Sequence, residues 1–172
     1  MSVFLARGYS AAFVFVLSTQ GAMADLSAQE VWDDWKSYLS GTGYDVGGTE
    51  NLAGGTLTVS DVSMKMAIPE EDATIGMRLP EIQFAENGDG TVNVMFPKEF
   101  PITVSFSGDG DEGTGELIYT HDGSPMLVSG DATNMTYDYA SPLVQIALGK
   151  VMADGEAMPE GMVKATISLT DV

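Results

Sequence analysis

Few side chains here could carry chemistry. The 172-residue chain has one histidine and no cysteine. His121 stands beside Asp122-Gly123 in a turn-like stretch. As the base of a nucleophilic triad it would need an oriented carboxylate and an exposed serine, and no G-x-S-x-G elbow occurs to supply the serine. A zinc site without thiolates would need more imidazoles, or carboxylates in their place. His121 is therefore expected as an exposed turn residue. Lack of thiols excludes disulfides, thiolate metal centres and cysteine nucleophiles. No glycine-rich loop leads from a strand into a helix to hold phosphate, which argues against nucleotide chemistry. No catalytic residue is assigned.

Oxygen donors are abundant: 25 Asp and Glu stand against 7 Lys and Arg, a net charge of −18. Asp109, Asp111 and Glu112, in the acidic glycine loop that ends at Gly115, are the calcium candidates. Calcium takes about six to eight oxygens, and such a loop can provide several of them. The loop departs from EF-hand spacing, since Gly113 stands where a third ligand would fall. A solvated acidic turn is the competing reading. Two carboxylates could also hydrolyse glycosidic bonds, but their separation is set by the fold, and nothing singles out a pair among 25 acids.

Apolar recognition has its own candidates. Trp32 and Trp35 are the two tryptophans, and Met64, Met66 and Met77 cluster in a predicted hairpin. Methionine fills irregular cores and also lines adaptable binding surfaces. These five residues are the expected contacts for an apolar ligand, against a plain packing role.

Elements must position all of these groups. The first 24 residues read as a secretory signal: Arg7, the apolar run Ala11–Leu17, and an A-x-A site ending at Ala24. Cleavage there removes Arg7 alone among the charges, leaving 6 basic residues (7 − 1) and a net charge of −19 (6 − 25). Such a surface repels nucleic acid and anionic membrane, so neither is an expected partner. An envelope protein or an apolar ligand fits better. Export places the mature chain in the periplasm or cell envelope.

From Ser27 to Leu39 the sequence predicts a helix. Ser27 and Glu30 make a capping box, Leu26 and Val31 a hydrophobic staple, and Gly41 the stop. Ala28, Val31, Trp32, Trp35, Tyr38 and Leu39 share one stripe at about 100° per residue. Residues 42–55, rich in glycine, read as a returning loop with a short strand at 44–46.

Pairing residues whose numbers sum to 141 aligns the apolar positions of Thr56–Ile68 with those of Ala73–Phe84. Both runs change phase near Asp61 and Pro80, so a bend is expected there. A second register, summing to 176, follows the Asn87–Gly90 turn. Short strands are expected over 100–106, 116–120, 126–128 and 134–139, with a last one over 162–172; segment 143–151 fits either strand or helix, with strand favoured. Turn signals at short spacing make the chain mainly β: an antiparallel meander or extended curved sheet, with one N-terminal amphipathic helix covering it. Residues 25–172 form one β-rich domain.

Thr56–Val62 recurs, class for class, as Thr166–Val172. The second copy stops before its hairpin partner, so a truncated chain is expected. The helix with its preceding Ala24-Asp25, the strand Thr56–Val62, the turn Glu86–Val92 and the run Met135–Tyr139 together resemble a bacterial exported family, domain of unknown function 2125. The resemblance spans most of the chain after the signal. It implies export, a β-rich build and, because members are longer, an N-terminal fragment. It brings no activity, substrate or catalytic residue. The reading favoured by the sequence is an exported, non-catalytic envelope protein with a structural or binding role; the alternatives are a periplasmic carrier of a lipid or other apolar ligand, and a carboxylate-based hydrolase of envelope polymers.

Overall fold

The computed structural model describes residues 25–69, 72–108, 110–157 and the strand at 166–170. The signal reading and most of the strand expected over 162–172 lie outside these residues.

Helix α1 runs Ala28–Gly41. Its capping box is formed: the Ser27 N–H donates to Glu30 Oε2 (2.8 Å), and the Glu30 N–H donates to Ser27 Oγ (3.3 Å). Leu26 and Val31 are both buried, as a staple requires. The stop falls two residues later than expected. Gly41 is the last helical residue, Thr42 caps the carbonyls, and Gly43 takes the left-handed conformation (φ 96°). The Thr42 N–H and hydroxyl satisfy the last-turn acceptors, so the turn at Gly41 can close helically.

Eleven strands follow among the described residues, in one open antiparallel sheet. Strands β1 (Tyr44–Ala53), β2 (Thr56–Ile68) and β3 (Ala73–Glu86) form a meander. The 42–55 region is thus a ten-residue edge strand and not a loop. Its two-residue connection, Gly54-Gly55, has positive φ at both positions (58° and 76°), the backbone that matches the twist of a tight hairpin.

The β2–β3 register sums to 141 throughout, from Thr56↔Ala85 to Ile68↔Ala73. Ser60↔Glu81 and Val62↔Leu79 are successive rungs, with Asp61 and Pro80 left between them. Asp61 has φ 53°, and the β1–β2 register shifts at this level, where Gly48 faces two residues of β2. That bulge returns the apolar residues to one face. Leu57, Val59 and Val62 belong to a single buried cluster.

The next hairpin joins β3 to β4 (Val92–Met95) with a sum of 178, as in Phe84↔Val94, and not 176. The loop is longer than the Asn-Gly-Asp-Gly signal implied because the Asn87 N–H bonds to the Thr91 carbonyl (2.9 Å) inside it. A shift of two keeps the same faces.

Strand β3 is a branch point. Its second edge pairs with β4 over residues 83–86 and with β5 (Glu99–Gly108) over residues 74–78. Beyond β4 come β7 (Met126–Asp131) and β8 (Asn134–Asp138). Beyond β5 come β6 (Asp111–His121), β9 (Leu143–Ala153), then β10 (Glu156–Ala157) and β11 (Thr166–Thr170). Segment 143–151, which the sequence leaves open between strand and helix, is strand.

Helix α1 covers the first half. Trp32, Val31 and Ala28 pack with Leu57, Val59, Ile82, Phe84, Val92, Val94 and Val128. Trp32 and Trp35 lie 5.8 and 5.4 Å from Phe84, centroid to centroid. Full burial of a ring such as Phe84 contributes about 1.5–3 kcal/mol. Glu86 Oε1 accepts the Ala28 N–H (3.0 Å), tying the helix start to β3.

Candidate functional site

Directly opposed residues in an antiparallel sheet share a face, so the registers of the second half can be read as rows across it. One row is Tyr44, Met66, Ile75, Phe106, Gly113 and Ala153. The next is Val46, Met64, Met77, Val104, Gly115 and Val151. Ile102, Leu117 and Leu148 form another row, and Phe100, Tyr119, Ile146 and Ile167 a fourth. The reverse face is mixed: Lys65, Ser105, Thr114 and Met152 form one row, Ser63, Arg78, Thr103 and Glu116 another, and Pro101, Ile118 and Ala147 a third.

The sheet is therefore two-faced. On its apolar side no described element packs over the second half. Met64, Met66 and Met77 are half-buried by their neighbours, while Phe106 is 53% exposed and Ile167 56%. Phe106 lies flat over Gly113, where a Cβ would collide with its ring. The three methionines are thus brought together on one face, with Met64 opposite Met77.

The two tryptophans separate in role. Trp32 is 1% exposed and its Nε1–H donates to Glu50 Oε1 (2.6 Å). Glu50 also accepts from Lys36 Nζ (2.9 Å) and Gln29 Nε2 (3.2 Å). The Lys36 hydrogen bond holds the Glu50 carboxyl below its ordinary range, against the opposing effect of burial. Trp32 is thereby walled into the core. Trp35, half-buried, begins an aromatic file: Phe96 at 6.4 Å, then Phe100, Tyr119 and His121 at successive centroid steps of 5.7, 5.1 and 5.6 Å. The file connects the helix to the apolar side of the second half. Burial, with the Tyr139 hydroxyl beside it, pushes Tyr119 up to about 12.

Trp35 also borders a groove of about 480 Å³ with Asp34, Tyr38, Leu39, Met126 and Tyr137. Tyr38, expected to pack on the sheet, is instead 72% exposed at this groove, because α1 extends past the covered half. The Tyr137 hydroxyl donates to Asp34 Oδ2 (2.7 Å); burial and that carboxylate raise its pKa. Tyr137 stood in a run whose alternation with Met135 and Tyr139 was legible, but its meeting with α1 depends on β7 and β8 pairing beyond β4.

His121 is not exposed. It ends β6 at 4% exposure, with Nε2 3.0 Å from the Pro97 carbonyl and Nδ1 accepting the Gly123 N–H (3.2 Å). That pattern puts the ring proton on Nε2, facing Pro97. With the His121 N–H on the Lys98 carbonyl (2.9 Å), the residue clamps the connection from β4 to β5. Its two ring nitrogens are spent on backbone.

Of the calcium candidates, Asp109 lies outside the described residues. Asp111 and Glu112 are successive residues of β6, which point to opposite faces. The Glu112 N–H donates to Asp154 Oδ1 (3.2 Å). Among the described residues no three His, Asp or Glu side chains are grouped to hold a metal. No family model matches the chain, and neither a curated protein nor a solved structure does.

Proposed function

We propose that this protein is an exported, non-catalytic binding protein that accommodates an apolar ligand on the uncovered face of β1–β3, β5, β6 and β9. The observation carrying this reading is the run of apolar rows across one face, opposite a face of mixed character, beside a half-sheet whose equivalent face has a helix over it. Monomeric proteins seldom leave contiguous apolar patches larger than a few hundred Å² without a use for them. The methionines suit a ligand of variable shape, such as an acyl chain. The signal-like first 24 residues support export. The resemblance to an exported family agrees with that reading and adds no activity to it.

A neutral fluorescent naphthylamine probe tests the proposal. The probe is expected to bind the wild type, and Met77→Asp and Val104→Asp are expected to weaken binding about tenfold or more, since a charge on this face removes apolar contact. Met77 and Val104 are half-buried by their sheet neighbours, so both variants should lose some melting temperature while staying folded at the temperature of the binding measurement. Absence of probe binding, together with no apolar molecule released in native mass spectrometry of the exported protein, would overturn it.

A further inference from the structure

The groove beside α1 has an almost wholly apolar surface with one carboxylate among its lining residues. Three aromatic side chains line it, Trp35, Tyr38 and Tyr137, with Trp35 and Tyr137 rings 6.5 Å apart and tilted by 40°. Leu39 and Met126 complete the apolar wall, and Asp34 supplies a carboxylate at its edge. Among the described residues the ion pairs are Lys36 with Asp33 (2.8 Å) and Lys36 with Glu50 (2.9 Å), so Asp34 has no basic partner. Its contact is the Tyr137 hydroxyl, which fixes both groups at the groove.

Aromatic faces attract cations through their quadrupole, and most strongly when the cation is easily desolvated. A lysine-like ammonium holds its water tightly and would gain little from Leu39 and Met126. A quaternary ammonium spreads its charge over methyl groups, which can touch the rings and the aliphatic wall while the net charge faces Asp34. A neutral alkyl group would gain the apolar contacts alone, with no Coulombic attraction to the carboxylate that Tyr137 holds at the groove. The chain's net charge of −18 draws cations toward the site. We infer that the Trp35–Tyr38–Tyr137–Asp34 groove is a binding site for a quaternary ammonium group carrying an alkyl or alkanol arm. The site is set by α1, β7 and β8, none of which contributes to the uncovered sheet face, so it does not depend on the apolar-ligand reading.

Titration calorimetry of the purified protein with choline chloride, beside sodium chloride and the neutral tert-butyl analogue of choline, tests the inference. Choline should bind saturably and the neutral analogue about tenfold or more weakly. Tyr38→Ala and Asp34→Asn should each weaken choline binding about threefold to tenfold while leaving the melting temperature in place, since both side chains lie outside the core. Choline heats indistinguishable from sodium chloride, or equal affinity for the neutral analogue, would overturn it. Vesicle flotation separates the sources. Recovery with phosphatidylcholine and not with phosphatidylglycerol assigns the group to a lipid headgroup; choline binding without flotation assigns it to a free cation.

Discussion

Three aspartates share one local device, which gives three of the 25 acidic side chains a structural use inside turns. Asp89, Asp122 and Asp131 each precede a Thr or Ser by two positions, and each carboxylate accepts the backbone N–H and the hydroxyl of that residue. This is an Asx turn reinforced by the side chain. At Asp122 the Ser124 hydroxyl and N–H, with Ser141 further on, bring the carboxyl down to about 2. A folded-state pKa below the unfolded value of about 3.9 contributes stability that is complete above that value and lost as pH falls toward about 2. Asp122→Asn is therefore expected to lower the melting temperature at neutral pH, with the gap to wild type closing between about pH 4 and pH 2. A gap that stays constant across that window would mean the carboxylate's charge has no part in the turn. The D-x-S/T pattern was there to be read. His121 shows the opposite case: beside Asp-Gly it looks like a turn residue, and only the packing of Pro97 and Lys98 against the end of β6 makes it a buried clamp.

At the scale of elements, alternation decided what could be read. The β2–β3 register was legible because both strands have one buried or half-buried face, so a slip by one residue would expose every apolar side chain. Strand β1 was not legible because it lies at an edge, mostly exposed, with no alternation to report it. Its Gly54-Gly55 turn was the available signal. The bend at Asp61 and Pro80 was visible as a shared phase change, but its mechanism lies in the pairing of β1 with β2: a left-handed aspartate in a bulge against Gly48, where an added Cβ would lie 2.6 Å from Val59. A left-handed conformation costs an L residue about 1–2 kcal/mol, less for aspartate and nothing for glycine. Asp61→Gly should therefore hold or raise stability by up to about 1 kcal/mol in urea unfolding, and Asp61→Val should lower it by about 1–2 kcal/mol. Equal effects from both substitutions would show that the backbone conformation at residue 61 is not what limits the bend.

For the whole molecule, the branch at β3 divides one sheet into a half with a second layer and a half without one. Domains gain most of their stability where two layers enclose a core, and here that core is the cluster beneath α1. The covered half and the overall β class followed from the sequence; the uncovered half did not, because alternating strands look the same whether or not anything lies over them. The division has a dynamic consequence. Apart from Phe100, His121 and Val144, which are buried at one end, opening of β5, β6 and β9 loses half-buried contacts, whereas opening of β2, β3 and β4 near Leu57, Phe84 and Val94 exposes fully buried ones. Local opening free energies should differ accordingly. In hydrogen exchange followed by mass spectrometry, amides of β5, β6 and β9 are expected to exchange at least about tenfold faster than those of the covered parts of β2, β3 and β4, which corresponds to about 1.4 kcal/mol. A saturating apolar probe should slow the first group and leave the second unchanged. Uniform exchange across all six strands, unaltered by the probe, would mean that the sheet unfolds as one unit and that the exposed face contributes to neither stability nor binding.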